Sequence, residues 1–426
     1  MPAPVTTIQF SAPTYSATEG CTQTMITVTR SGPTDNTSVV RYFTSDGTAT
    51  QRSDYTFAAG TLTFGPGETQ KQIPLLISDD AYAEPTETMN ITLLNVRGAS
   101  LGSPSTTTLQ ILDNDTSDGS ANPIDDPSTL VGEHYHDFLN RQSDANGQNF
   151  WTQQIASCGN DQQCIEQKRV NVSAAFYLSI EFQETGYLVE RIYKSAYGDA
   201  KGQSTFNGAH QMAAPIVRLE EFLTDTQEIA QDVVVLQPGW EDKIETNKRA
   251  FVAEFIQRDR FTAAFPSNLT PAQFVDQLNT NAGNPLSQSE RDQLVSDLTN
   301  GARTRGEVLR AVAEDPDLNK AEFNRAFVLM QYFGYLRRNP DSAPDSDYTG
   351  YDFWLTKMNS FNGDYLKAEM VKAFLSSSEY RERFQGSATR GNPSRASARM
   401  SLPMRDAVAK SLWFSLPASL VRMFVG

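Results

Sequence analysis

The sequence predicts a multidomain chain in which an all-β, immunoglobulin-like sandwich is followed by an all-α helical region with two repeat units. Up to residue 115, apolar and polar residues alternate in short runs rich in Thr, Val and Ile, as in half-buried β-strands. Beyond residue 129 the apolar residues recur at helical spacing. Residues 116–129, between the two patterns, are dense in Gly, Pro, Ser and Asp, so we expect a linker there.

The predicted sandwich occupies residues 1–115. Turn signals such as Asp46-Gly47 and Gly65-Pro66-Gly67 separate the alternating runs at short intervals. Roughly seven short strands at such spacing are typical of two packed antiparallel sheets. The clearest alternating runs are residues 24–29, 38–44, 69–77, 87–96 and 106–112.

Local capping signals mark helix starts beyond the linker. Ser287 is followed by Glu290 and Thr304 by Glu307, which are two capping boxes. We divide this region into a first repeat unit, a middle helical segment, a second repeat unit and a basic tail that we expect to be disordered. Their bounds are residues 130–200, 201–319, 320–385 and 386–426.

The two repeat units share a sequence pattern that recurs after about two hundred residues. Residues 138–151 and 335–354 each run from an aromatic-Leu pair and an arginine to a glycine and a Phe-Trp pair. Residues 175–182 and 373–380 share Ala-Phe, Ser, Glu and an aromatic residue at identical internal spacing. At helical spacing the Phe-Trp pairs are typical of core residues rather than of a binding platform. They are Phe150, Trp151, Phe353 and Trp354.

Composition and charge exclude two classes of protein. With 39% hydrophobic and 20% charged residues the chain has the composition of a soluble globular protein. No apolar run reaches the roughly 18 residues that span a bilayer, so we expect no transmembrane segment. The net charge of -15 repels a phosphate backbone, so we expect no nucleic acid partner. The first residues lack the features of a secretory signal, so we expect a mature chain or a fragment.

The three cysteines are too few for a disulfide scaffold. Cys158 and Cys164 lie in a polar loop at a spacing that suits a disulfide, whereas a metal site there would need further Cys or His ligands. We therefore expect this disulfide, an oxidising compartment and a free thiol at Cys21. His134 and His136 have no third ligand at suitable spacing, so we expect exposed histidines at a helix start rather than a metal site.

Acidic residues dominate the predicted sandwich, with twelve acids against five bases up to residue 119. Eight of the acids fall at strand ends or in loops that a sandwich would gather at one end. Carboxylates about 4 Å apart repel by roughly 4 kcal/mol per pair, so such a cluster needs a cation. That number of hard oxygens favours calcium over magnesium. A solvated acidic loop is the alternative, and the charge pattern alone leaves both open.

These acids lie in segments that closely resemble the Calx-beta domain, known as the calcium-sensing domain of sodium/calcium exchangers. The resembling segments are residues 16–20, 46–55, 60–64, 77–88 and 113–115. The resemblance implies Ca2+ as cofactor, with a backbone carbonyl beside the carboxylates. The implied ligands are Glu19, Asp54, Asp79, Asp80, Glu84, Glu87, Asp113, Asp115 and the carbonyl of Tyr82. Asn114 departs from the most acidic form of the closing motif, and Asp46, in an Asp-Gly pair, is better explained as a turn residue.

The helical repeats resemble a bacterial family of uncharacterised function that is related to phycobilisome linker repeats and occurs in secreted or surface proteins. Residues 137–151 and 373–380 carry this resemblance, which implies a surface or assembly context. We therefore expect an extracellular or cell-surface bacterial protein with a calcium-rigidified sandwich. Its helical region would contact surface proteins or glycans.

We predict no catalysis, because the sequence has no phosphate loop, nucleophile elbow or catalytic triad. Two alternatives remain open. One is a secreted enzyme with its active site in residues 206–319, and the other is a calcium sensor.

Overall fold

The computed structural model describes residues 5–115 and 121–384. The predicted disordered tail, residues 386–426, and residues 116–120 of the predicted linker lie outside these ranges. Within them a β-sandwich is followed by a largely helical region, as the sequence predicts. No helix in the described part of the chain is long and apolar enough to cross a bilayer.

The sandwich consists of two sheets. Its strands are β1 (Thr7–Phe10), β2 (Thr14–Thr18), β3 (Thr22–Ser31), β4 (Ser38–Asp46), β5 (Ala59–Phe64), β6 (Gln70–Ile77), β7 (Glu87–Arg97), β8 (Ser100–Leu101) and β9 (Thr106–Leu112). One sheet has the order β6-β3-β1-β8 and the other the order β2-β9-β7-β4-β5. Pairing is antiparallel except between β1 and β8 and between β2 and β9.

Alternation along the strands builds the core between the sheets. In β7, Met89, Ile91 and Leu93 are buried, while the residues between them are only half-buried. Because successive side chains of a strand point to opposite faces, this places all three on the inner face. They join Phe10 and Phe64, which are fully buried in the same cluster.

The second region contains helices and one hairpin. The first helices are α1 (Pro127–Leu139), α2 (Ala145–Ala156), α3 (Gln162–Leu178), α4 (Ile180–Phe182) and α5 (Leu188–Tyr197). The hairpin is formed by β10 (Ala200–Ser204) and β11 (His210–Ala214). The middle helices are α6 (Leu219–Ala230), α7 (Trp240–Phe255), α8 (Asp259–Ala264), α9 (Pro271–Asn281), α10 (Gln288–Thr299) and α11 (Arg305–Ala313). The last are α12 (Pro316–Gln331), α13 (Thr349–Ser360), α14 (Met370–Leu375) and α15 (Ser378–Arg381).

Two features of this region differ from the sequence prediction. The β10–β11 hairpin interrupts the predicted all-α region, although its strands lack the β-branched alternation that signals a strand. Helix α1 begins at Pro127, inside the predicted linker. The carboxylate of Asp126 accepts hydrogen bonds from the backbone N–H groups of Ser128 and Thr129 at 2.8 and 3.0 Å, which caps the helix there.

The two segments with similar sequence make equivalent contacts. Arg141 forms two hydrogen bonds to Glu181 at 2.7 and 2.9 Å, and Arg338 forms two to Glu379 at 2.6 and 3.1 Å. In each segment the arginine follows a residue in the left-handed conformation, Asn140 or Arg337. The same chain reversal therefore presents the same side chain in both segments.

The Phe-Trp pairs belong to the helical core, which confirms the sequence interpretation. Trp151 and Trp354 are 6% and 4% exposed, and Phe150 and Phe353 pack against the same cluster. Their neighbours are equivalent as well, since Trp151 contacts Phe176 and Trp354 contacts Phe374. Each Trp therefore packs on the Phe of the Ala-Phe pair in its own segment.

The sandwich packs on the helical region at an edge strand and at one loop end. At the edge, the side-chain amide of Gln227 in α6 accepts a hydrogen bond from Ala59 N at 2.9 Å and donates one to Phe57 O at 2.6 Å. Since β5 is the last strand of its sheet, this side chain satisfies backbone groups that have no neighbouring strand on that side.

A buried ion pair lies at the other contact. The guanidinium of Arg383 donates two hydrogen bonds to Asp137 at 2.7 and 2.9 Å, and both side chains are almost completely buried. The same group donates to the carbonyl oxygens of Arg52, in the sandwich, and Tyr335 at 2.6 and 3.1 Å. One arginine thus joins the sandwich to both repeat segments.

Candidate metal centre

Four segments bring the predicted ligands to one end of the sandwich. Glu19 follows β2, Asp54 lies in the turn after β4, and the loop from β6 to β7 carries residues 79–84, with Glu87 at its end. Residues 113–115 follow β9. Strands that end at the same rim deliver their loops together, so positions far apart in sequence become neighbours.

The structure places six of the predicted acids in two groups. In one group, a carboxylate oxygen from each of Glu19, Asp80 and Asp115 lies within 4.8 Å of the others. The second group brings three acids together at the same distance: Asp54, Glu84 and Glu87.

Asp113 lies between the groups. Its two carboxylate oxygens accept hydrogen bonds from Glu84 N and from Asp115 N, both at 2.7 Å. One residue of each group is therefore fixed by the same side chain. Asp79 lies close to Asp115 and Asn114. The carboxylate of Asp115 repels the charged form of Asp79, whereas a hydrogen bond with the side chain of Asn114 stabilises that form.

Three carboxyl groups of the site have raised pKa values, so their charged forms are disfavoured. Burial, followed by repulsion from Asp80, Asp113 and Asp115, raises the pKa of Glu19 to about 9. Burial and a neighbouring carboxylate also raise the pKa values of Asp79 and Asp115. Because the folded-state pKa of Glu19 is raised, its contribution to stability is present below about pH 4.5 and is lost as the pH rises towards 9. A bound cation would offset the repulsion between these carboxylates and therefore this loss of stability.

The donor set fits a hard cation. All eight predicted side chains offer carboxylate oxygens, the ligands that calcium prefers. Within the described residues, Oδ2 of Asp115 is buried without a hydrogen-bond partner, although a buried polar atom ordinarily has one. An ion among Glu19, Asp80 and Asp115 would supply that partner.

Two further residues complete the comparison with the sequence. Tyr82 lies in the acidic loop, its N–H donating to Asp80 at 2.8 Å, and its carbonyl as a ligand stays a prediction. Asp46, which the sequence interpretation left out, accepts hydrogen bonds from Tyr55 OH and Gln51 N at 2.6 and 2.9 Å. Its carboxylate thus holds the turn.

The sequence interpretation missed Glu133. This α1 side chain is fully buried and accepts hydrogen bonds from Asp79 N and Ser78 Oγ, both at 3.4 Å. The helical region therefore contacts the acidic loop directly. No local signal identifies such a residue, because the contact spans 54 positions.

The predicted exposure of the histidines is wrong. His134 and His136 belong to α1, and both are fully buried because the sandwich and the repeat segments cover this helix. Burial lowers the pKa of His134 to about 3 and also lowers that of His136. Both are therefore neutral at pH 7.

The predicted disulfide is present between Cys158 and Cys164, whose Cα atoms are 5.6 Å apart. It closes the turn between α2 and α3. Cys21 is not part of a disulfide, also as predicted.

Comparison with known proteins identifies the sandwich. Residues 3–115 match the family model of the Calx-beta domain. Sodium/calcium exchanger 1 of Mus musculus is 40% identical over 131 residues, which cover 26% of this chain and 14% of the exchanger. Sodium/calcium exchanger 2 of Homo sapiens is 41% identical over 91 residues, or 21% of this chain and 10% of the exchanger. The chain thus matches only a small part of these relatives.

Solved structures match the same region. The apo form of the Calx CBD1 domain is 31% identical and covers 26% of this chain and 99% of that domain, with a TM-score of 0.26. The calcium binding domain CBD12 of CALX1.1 is 32% identical, with 25% of this chain and 44% of that one covered and a TM-score of 0.25. The helical region carries no family assignment. Residues 3–115 of this chain are a Calx-beta domain.

Proposed function

We propose that the acidic end of the sandwich binds calcium and that the ion stiffens the loops facing the helical region. The observation that carries this proposal is the convergence of Glu19, Asp80 and Asp115, together with the raised pKa of Glu19. Calx-beta domains bind calcium in the exchanger homologues, which supports the same assignment.

We propose further that the protein acts outside the cell or at the cell surface. The Cys158–Cys164 disulfide supports this placement, since such bonds persist in oxidising compartments. In this proposal the helical region serves adhesion, assembly or another contact with surface proteins or glycans, and it performs no catalysis.

Thermal unfolding of the full chain tests calcium binding. An ion that binds only the folded state adds about 2.7 kcal/mol at a hundredfold excess over its Kd, so we expect calcium to raise the melting temperature of the sandwich. Replacing Asp79 and Asp80 together by Ala should abolish that rise. The matched control is Asp35→Ala, which removes an exposed acid outside the site and should leave the rise unchanged.

The result that contradicts the proposal is a folded wild-type chain that shows neither a rise in melting temperature nor a binding signal in calorimetric titration at millimolar calcium. The calcium-dependent difference is the quantity to compare, because Asp80 also accepts a hydrogen bond from Tyr82 N and its loss changes stability by itself.

A specific contact favours a second role, that of a calcium sensor. Ala81 N donates to Phe384 O at 3.1 Å, and Tyr82 OH donates to Glu382 O at 2.7 Å. The loop that carries Asp79 and Asp80 is therefore hydrogen-bonded to the end of the second repeat segment. Order gained in the loop on calcium binding would pass directly to that segment.

Hydrogen exchange of the full chain tests the sensor role. We expect calcium to slow exchange in residues 378–384 as well as in residues 79–84. Slower exchange in the loop alone would show that the ion stiffens only the sandwich and would rule out the sensor role.

A further inference from the structure

A second group of ligand-type side chains lies between the sandwich and α1. One ligand atom from each of Cys21, Glu133 and His136 lies within 4.8 Å of the others. Glu133 and His136 are fully buried, and Cys21 is half-buried. The group differs from the acidic end of the sandwich because it offers sulfur, nitrogen and oxygen together.

Helix geometry and a glycine place these three side chains together. Glu133 and His136 are three positions apart in α1, so they lie on the same face of the helix. Cys21, immediately before β3, approaches that face at Gly132. A methyl group on Gly132 would overlap the Sγ of Cys21, so the approach requires a residue without a side chain.

The hydrogen bonding of His136 is a second, independent indication of a ligand. Its Nε2 lies 3.0 Å from Oε1 of Gln142, and since a carbonyl oxygen only accepts, Nε2 carries the proton. Nδ1 then carries the lone pair. In the described part of the chain Nδ1 is buried with no hydrogen-bond partner. A metal-binding imidazole has this arrangement, with one nitrogen held by an oxygen and the other directed at the metal.

We propose that Cys21, Glu133 and His136 form a zinc site that links the sandwich to the helical region. A thiolate, an imidazole and a carboxylate are the side-chain ligands of zinc, whereas calcium takes oxygen ligands. Three protein ligands leave one tetrahedral position, which water fills. Binding releases the thiol proton of Cys21, as metal binding by cysteine requires the thiolate.

The site accounts for two features of its buried ligands. The metal supplies the partner that His136 Nδ1 lacks, and its charge compensates the buried carboxylate of Glu133. Because the ligands come from both parts of the chain, the ion holds the sandwich against α1.

Cobalt substitution tests the proposal on the full chain in excess calcium, which occupies the carboxylate sites. The chain has three cysteines and two form the disulfide, so a thiolate-to-cobalt absorption band reports Cys21 alone. We expect this band, with the intense visible absorption of tetrahedral cobalt, and its displacement by zinc. Elemental analysis after dialysis should find about one zinc per chain.

Cys21→Ser should remove the band and the retained zinc. His210→Gln, which removes an imidazole that is 44% exposed and outside the group, should keep both. A folded wild-type chain without the band overturns the proposal, and so does zinc retained equally by Cys21→Ser, since that zinc would lie elsewhere. If Cys21→Ser does not fold, the rate of alkylation of Cys21 in the wild-type chain tests the site instead. We expect zinc to slow this alkylation at least tenfold. Equal alkylation rates with and without zinc would refute the site.

Discussion

The buried ion pair between Arg383 and Asp137 gives a prediction whose size follows from the structure. Replacing Arg383 by Met keeps most of the side-chain volume but leaves the Asp137 carboxylate buried without its two hydrogen bonds. Breaking a buried pair in this way costs about 3 to 5 kcal/mol. Arg337 Nε, 4.0 Å from the same carboxylate, offsets part of the loss. We therefore expect about 3 kcal/mol, at the lower end of this range.

The chain contains a matched control two residues earlier. Arg381 makes the same two-pronged contact with Asp125, with both hydrogen bonds at 2.8 Å, but the side chains are 32% and 49% exposed. An exposed pair contributes about 0 to 1 kcal/mol, because solvent screens the charges. Arg381→Met should therefore leave stability nearly unchanged. The two ion pairs share the same contact with a carboxylate but differ in burial, and Arg383 donates two further hydrogen bonds to the carbonyl oxygens of Arg52 and Tyr335.

Urea unfolding followed by far-ultraviolet circular dichroism measures both variants, with and without calcium. For a region of this size a loss of about 3 kcal/mol also lowers the melting temperature by on the order of 10 °C. Arg383 also donates to Arg52 O, so its replacement should loosen the contact between the sandwich and the helical region. Equal effects below about 1 kcal/mol for the two variants would refute the reasoning, because burial would then not set the cost.

Three further predictions concern the metal centre, the helical core and the disulfide. Since the pKa of Glu19 is raised to about 9, we expect calcium binding at pH 7 to release about one proton from this side chain. Titration calorimetry in two buffers of different ionisation enthalpy measures the number of protons released. The variant Glu19→Gln should bind calcium without releasing this proton. Gly334→Ala should destabilise the chain by about 1 to 3 kcal/mol in urea unfolding, because the added methyl group overlaps the ring of Phe138. The unreduced chain should have the mass expected for a Cys158–Cys164 disulfide, and two free thiols at these positions would contradict this.

Much of the sandwich could be predicted because each strand shows its alternation of apolar and polar residues within a short stretch of sequence. Alternation in residues 24–29, 87–96 and 106–112 falls on strands β3, β7 and β9. The acids at strand ends follow from the same pattern, since a sandwich collects the loops of one rim. The division of the acids into two groups was not predictable, because it depends on how each loop folds over the rim.

The contacts between the two parts of the chain could not be predicted from the sequence. Glu133 and His136 look like residues of an exposed helix start, yet the sandwich and the repeat segments bury them. The pairing of Asp137 with Arg383 spans 246 positions, and nothing near either residue indicates the other. Periodicity reports which face of a helix is apolar, whereas polar residues buried by a neighbouring domain carry no periodic signal.

The amide of Gln227 has a consequence for self-association. An uncovered edge strand is a template on which a strand of another copy can add, which is a common route to aggregation. By occupying Ala59 N and Phe57 O, this side chain closes part of the template that β5 would otherwise present. Helix α6 thus covers part of the edge of the sandwich. We expect a truncated chain without α6 to expose this edge and to oligomerise through β5.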